Sequence, residues 1–151
     1  MNKYLVVLMV AGLIYSCSNS GQAPDAQASA PKPDTLSTDE KGIGKFTHVD
    51  ISPNLDHKLA DGGKAIFDVK CSSCHKLTSE KFVGPGWKGV TERRKPEWIM
   101  NFVTNTREML VKDAKAQSLL EICLVEMPNQ NLTDAQARDM LEFMRQNDGV
   151  K

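Results

Sequence analysis

The chain has 151 residues, which sets a prior of one domain, and its 19 basic and 19 acidic side chains cancel. That neutrality gives no reason to invoke nucleic acid as a partner, and a composition of 40% hydrophobic and 25% charged residues is that of an ordinary globular protein. Aromatic residues, at 6%, are few for a chain that must fill a core unaided.

Met1-Asn2-Lys3 gives a positive start, and Tyr4 to Tyr15 is an apolar run too short to span a membrane. It ends at Ile14-Tyr15-Ser16-Cys17. Residues 1–17 resemble a bacterial lipoprotein signal, in which cleavage before Cys17 frees that cysteine for lipidation. Ser16 is small, as that pattern wants, whereas Tyr15 is bulkier than usual. An ordinary secretory signal is the alternative, and either one places the mature protein outside the cytoplasm. Residues 18–40, rich in Ser, Ala, Pro, Gln and Asp, have no hydrophobic periodicity. They read as a flexible tether of about 23 residues, spanning roughly 25 Å on average and about 75–80 Å when extended.

The domain is expected over 41–151. Lys41 to His57, with Gly42, Gly44 and Pro53, reads as an irregular lead-in. A first helix follows, in which Gly63, Phe67 and Cys71 share one face, widened by Ala65, Ile66 and Val69. Lys76 to Gly89 is a loop broken by Gly84, Pro85, Gly86 and Gly89. Pro96 suits the first turn of a helix from Glu97 to about Thr104. Ala114, Ala116, Leu119, Leu120 and Cys123 mark another helix, stopped by Pro128. Thr133 and Gln136 form a capping box for a last helix, from Asp134 to about Gln146, faced by Ala137, Met140, Leu141 and Met144. Asp148-Gly149 is its expected stop. No run alternates as a strand, so the fold class is all-α.

At the end of the first helix stands Cys71-Ser72-Ser73-Cys74-His75, the C-x-x-C-H signature of covalent c-type haem attachment. Two thiols separated by two residues on a helical turn can form thioethers along one edge of the macrocycle, and the histidine that follows can reach the iron. A zinc site would want two more close ligands, and the remaining cysteines, Cys17 and Cys123, are isolated. A thioredoxin-like pair would want a preceding strand, which is missing from the pattern.

On these landmarks the chain resembles the class I, single-haem c-type cytochromes over roughly Leu59 to Asn147. The landmarks are Gly63 and Phe67 before the motif, Gly84-Pro85-Gly86-Trp87-Lys88-Gly89-Val90 after it, and Met127-Pro128 ahead of the capped last helix. The resemblance implies a small helical domain wrapped around one haem c. In it the first and last helices cross at Gly63, and Phe67 packs against Leu141, Phe143 or Met144. It implies that the Pro85 carbonyl accepts the second imidazole N–H of His75 and that Met127 supplies the distal thioether. Trp87 stands where the family usually has an aliphatic residue. Trp87 or Trp98 would reach a haem propionate, or simply pack in the core.

Of the other methionines, Met100, Met140 and Met144 read as core, whereas Met109 lies near a loop from which it could reach the iron. Met127 is preferred because Pro128 frees the chain from helix there. His48 and His57, in a polar stretch, read as surface residues rather than as a second axial ligand. Cys123, between Ile122 and Leu124, reads as a buried, inert hydrophobe. From Lys64 to Lys95, eight basic residues face three acids, a rim suited to steering an acidic redox partner.

The expected function is electron carriage by His/Met-ligated haem c between a quinol-oxidising complex and a terminal reductase or oxidase, with no substrate chemistry. The alternative is an open sixth site doing ligand-binding, peroxidase-like or sensory chemistry. The protein is expected to be a monomer, lipid-anchored on the periplasmic side of a bacterial membrane. Ser18 after Cys17 favours the outer membrane.

Overall fold

Helix starts and stops in this chain are set by local chemistry. The computed structural model describes residues 37–151, so the expected signal segment, Cys17 and most of the tether lie outside the described residues. Asp56 caps the first helix, α1 (His57–Ile66), by accepting from the Leu59 N–H at 3.1 Å. The helix then widens into a π turn, Phe67–Cys71, in which the Ser72 N–H reaches back five residues to the Phe67 carbonyl. A loop leads to the short α2 (Val90–Arg93), then to α3 (Pro96–Thr104), which has Pro96 in its first turn. Next come α4 (Thr106–Lys112) and α5 (Ala114–Cys123). The final helix is α6 (Asp134–Asp148); its Thr133–Gln136 capping box is complete and Gly149 ends it at φ 104°. The described residues form no strand; Ser37 and Asp113 make one isolated bridge. The fold is the all-α one read from the sequence.

The central contact is the crossing of α1 and α6. Gly63 makes it possible, because a Cβ there would stand 2.6 Å from the Phe143 Cβ and press on the Asp139 backbone carbonyl. One turn on, Phe67 packs its ring against Phe143, with centroids 5.6 Å apart, so Phe143 is its partner among the three expected. Ala137, Met140, Leu141 and Met144 of α6 are all buried, as the amphipathic pattern required. Each large apolar side chain so buried contributes about 1.5–3 kcal/mol.

Two details differ from the sequence reading. Ala65 and Val69 do not widen the buried face; Val69 is 84% exposed. They lie two positions beyond Gly63 and Phe67, which on a helix is nearly the opposite side. The third apolar helix ends at Cys123, not at Pro128, because Leu124 turns into the left-handed region at φ 58°.

The lead-in is irregular but firmly held. Ile43, Phe46, Val49 and Ile51 pack on the core. Ser37 and Glu40, within the stretch expected as tether, already contact the helical body. Ser37 bonds Lys112 and Ala114 through its backbone, and Glu40 pairs with Lys115. Residues 37–55 thus form a strap across α3, α4, α5 and α6. Buried polar side chains receive it: Glu97 accepts from the Val49 N–H (3.2 Å), and Arg145 donates to the Ser52 carbonyl (2.6 Å). Glu142 accepts from the Asp56 N–H at 2.9 Å, where the strap runs into α1.

Candidate functional site

The π turn delivers the cysteine motif. Cys71 is buried, Cys74 is half-buried, and the His75 N–H returns to the Cys71 carbonyl at 2.9 Å. Burial pushes the Cys71 thiol up to about 11, with Lys70 opposing and Cys74 adding to the rise. In the folded chain without haem this thiol is protonated at neutral pH. No disulfide joins the described cysteines, and no group of three His, Cys, Asp or Glu gathers among the described residues to hold a zinc ion.

The loop after the motif fixes the His75 ring. Its Nδ1 lies 2.9 Å from the Pro85 carbonyl oxygen. A carbonyl only accepts, so Nδ1 carries the proton and Nε2 keeps its lone pair. Burial holds the imidazole below its usual range, and the bond to Pro85 opposes that only in part, so the ring is neutral near pH 7. Gly84 brings the loop over the ring, since a Cβ there would stand 2.7 Å from His75 Nδ1. Trp87 closes one side by packing on Phe67 and His75, at centroid distances of 4.8 and 5.6 Å.

Two mostly apolar cavities open beside this ring. They share His75, Pro85, Phe102, Leu119 and Met127 as lining and together form one apolar crevice. Cys74 lines the first, Trp87 and Trp98 the second. Its charged lining is sparse: Glu126 in the first, Arg93 and Arg94 in the second. The donor set fits a haem: an apolar slot, a thiol at its wall, a neutral imidazole with a free lone pair, and a thioether. Cys71 and Cys74 would hold its edge, and His75 and Met127 would face its iron.

Met109 is removed from contention, because it is fully buried and its Sδ accepts from the Ile43 N–H at 2.9 Å. Met100 and Met140 are core residues, while Met144 is buried yet borders the second cavity. His48 and His57 are exposed, as expected, and line neither cavity. Trp98 gives its indole N–H to Asp113 at 3.1 Å rather than to the crevice. Cys123 is not a core residue: it is half-buried in the wall of the first cavity with Leu119, Leu120 and Val125. The end of α5 at Leu124 puts it there. In the expected basic rim, Lys64 and Lys76 are paired with Asp68 and Glu80 at 2.7 and 3.0 Å. Arg94 lies over the Trp98 ring, 5.0 Å from its centroid. Sequence reasoning missed Phe102, Leu110 and Leu119 as lining, because an apolar residue on a short helix looks the same whether it meets core or cofactor.

Comparison with known proteins agrees with this geometry. The family model for cytochrome c matches residues 60–148, and the chain belongs to that family. A cytochrome c-553-like protein of Synechocystis sp. is 29% identical over 68 residues, covering 42% of this chain and 65% of that protein, just under two thirds of its length. A cytochrome c from Rhodothermus marinus superposes with a TM-score of 0.69 at 33% identity, over 72% of this chain and 93% of that one. An engineered form of it, Rma TDE, bound to a carbene intermediate, gives 0.65 at 32% identity over 72% and 94%. Membership makes this a class I monohaem c-type cytochrome with covalently bound haem c, and electron transfer is the chemistry of the family.

Proposed function

We propose that this protein is a one-electron carrier whose haem iron is held by His75 and Met127, with Cys71 and Cys74 as the thioether anchors. The observation that carries the reading is the crevice itself. It is lined by a neutral imidazole, oriented by the Pro85 carbonyl, and by a thioether side chain. Bound haem supplies an iron that exchanges one electron; everything else falls to the chain. The Pro85 carbonyl fixes the tautomer of His75 and strengthens its Nε2 as a donor. Thioether ligation raises the potential, and the apolar walls keep water out in both valence states.

The finer placement extends the same proposal. Lipidation at Cys17 would hold the domain at the periplasmic side of a membrane, the outer one favoured by Ser18. The segment between Cys17 and Ser37 would let the domain reorient between a quinol-oxidising complex and a terminal reductase or oxidase, working as a monomer. Metabolic labelling with a radioactive fatty acid tests the anchor; label retained in Cys17→Ala would refute it. Stopped-flow mixing of the reduced holoprotein with carbon monoxide tests the ligand set. Slow or absent binding supports Met127 as ligand, and immediate binding favours an open sixth site and the ligand-chemistry alternative.

A further inference from the structure

The strap reaches the crevice through α3. Positions four apart share a helix face, and positions one further on lie a quarter-turn round. Glu97 and Asn101 both meet the strap, while Trp98 and Phe102, a quarter-turn on, line the crevice with Ile99 and Val103. Asn101 is 1% exposed and spends its whole amide on the strap. Its Oδ1 accepts from the Phe46 N–H (3.0 Å), and its Nδ2 donates to the Lys41 carbonyl (3.0 Å) and the Phe46 carbonyl (2.9 Å). A buried amide left without these partners would be costly, so the strap and α3 are held in one register.

Two glycines bring the strap into direct contact with this wall. A Cβ at Gly44 would stand 2.7 Å from Asn101 Cγ. At Gly42, where φ is +70°, a Cβ would stand 2.9 Å from Trp98 Cδ1 and 2.8 Å from Met109 Sδ. The Trp98 indole is in turn stacked on Phe102, with centroids 4.9 Å apart and planes at 7°, and Phe102 lines both cavities. Asp113, whose neighbour Ala114 bonds the strap at Ser37, receives the Trp98 N–H. The strap therefore bears on the crevice by a short chain of contacts: Gly42 on Trp98, Asn101 beside Phe102. It also lies outside the stretch matched by the family model, which begins at residue 60.

We propose that the strap, acting through Asn101 and Gly42, is a positioning element for the haem crevice. It holds the Trp98–Phe102 wall of α3 at the width that keeps small molecules from the iron and keeps the Met127 side chain seated. This rests on the reading of Met127 as the sixth ligand.

Three variants of the holoprotein test it: Asn101→Ala, Gly42→Ala, and Thr133→Ala as a control. Thr133→Ala weakens the cap of α6. The Thr133 side chain bonds only to Gln136 and lines neither cavity, and its loss leaves Gly42, Asn101 and their contacts intact, although the next residue, Asp134, pairs with Lys45 of the strap. The readouts are the carbon monoxide association rate of reduced protein, the midpoint potential and the melting temperature. Asn101→Ala is expected to raise the association rate by about fivefold or more, the low end of coupling between separate sites, and to lower the potential. Gly42→Ala, pressing on Trp98 from the strap side, is expected to shift both readouts even where Asn101→Ala fails to fold. Thr133→Ala is expected to lower the melting temperature alone. Equal shifts in Asn101→Ala and Thr133→Ala would reduce the strap to general stability and overturn the proposal. So would unchanged rate and potential in Asn101→Ala beside a lowered melting temperature. Wild-type protein that binds carbon monoxide at once would instead sink the Met127 reading, and the potential difference alone would then decide the strap's role.

Discussion

Replacing Gly63 by alanine perturbs the contact on which the fold turns. The added methyl would stand 2.6 Å from the Phe143 Cβ, against the 3.4 Å at which ordinary contact begins, and closer still to the Asp139 carbonyl. Relieving it requires α1 and α6 to part by about 0.8 Å at Phe143 alone, and a backbone carbonyl cannot rotate away. Overpacking of this kind costs about 1–3 kcal/mol, and here the upper end applies. Alanine returns about 1 kcal/mol through its better helix propensity. The net loss is about 2 kcal/mol, which lowers the melting temperature of a domain this size by about 8 °C. Circular dichroism melts of the holoprotein, recorded beside the visible spectrum, measure it. A melting temperature equal to or above that of the wild type would refute the close approach of the two helices.

Cys71→Ala combined with Cys74→Ala is expected to abolish covalent haem, read as loss of haem stain after denaturing electrophoresis, and most folded structure with it by circular dichroism. Glu142 gives a pH dependence. Burial raises its carboxyl, but the bonds from the Asp56 N–H, Arg138 and Arg145 outweigh it and hold the group below its usual 4.5. A depressed folded value means that this contribution is complete above about pH 4.5 and is lost as pH falls through the folded value. Glu142→Gln is therefore expected to lower the melting temperature at pH 7 and to narrow the difference between melts at pH 7 and pH 3.5. An unchanged difference would contradict the assignment.

Much of the molecule is legible in its sequence, for reasons that differ by element. Thr133 with Gln136 announces the start of α6 because the cap satisfies backbone donors locally, and Gly149 announces its end. The cysteine motif announces the cofactor because its spacing is a geometric demand. Gly84, Pro85 and Gly86 mark a loop by themselves, but the role of the Pro85 carbonyl reads only through resemblance to the family, and that carbonyl stands at His75 as implied. Four-residue α2 and seven-residue α4 escape notice, since neither is long enough to display a period. The strap escapes because its attachments run between residues far apart in sequence, and those that receive it at Glu97 and Arg145 are side chain to backbone, from Glu97 to Val49 and from Arg145 to Ser52, 48 and 93 positions away. No local pattern marks Asn101 or Glu97 as the receiver of a distant backbone. Cys123 was misread because a thiol flanked by Ile122 and Leu124 looks interior, whereas both neighbours are exposed and the cysteine faces the crevice wall.

The most direct test of the central claim is the absorption spectrum of the holoprotein, oxidised and reduced, for wild type and Met127→Ala, with and without carbon monoxide. A weak far-red sulfur-to-iron band in oxidised wild type, and reduced protein indifferent to carbon monoxide, are the expected results. Met127→Ala should keep its covalent haem, lose that band, bind carbon monoxide and show a lower potential. A wild-type band that survives in Met127→Ala, with carbon monoxide binding and potential both unchanged, would contradict the account.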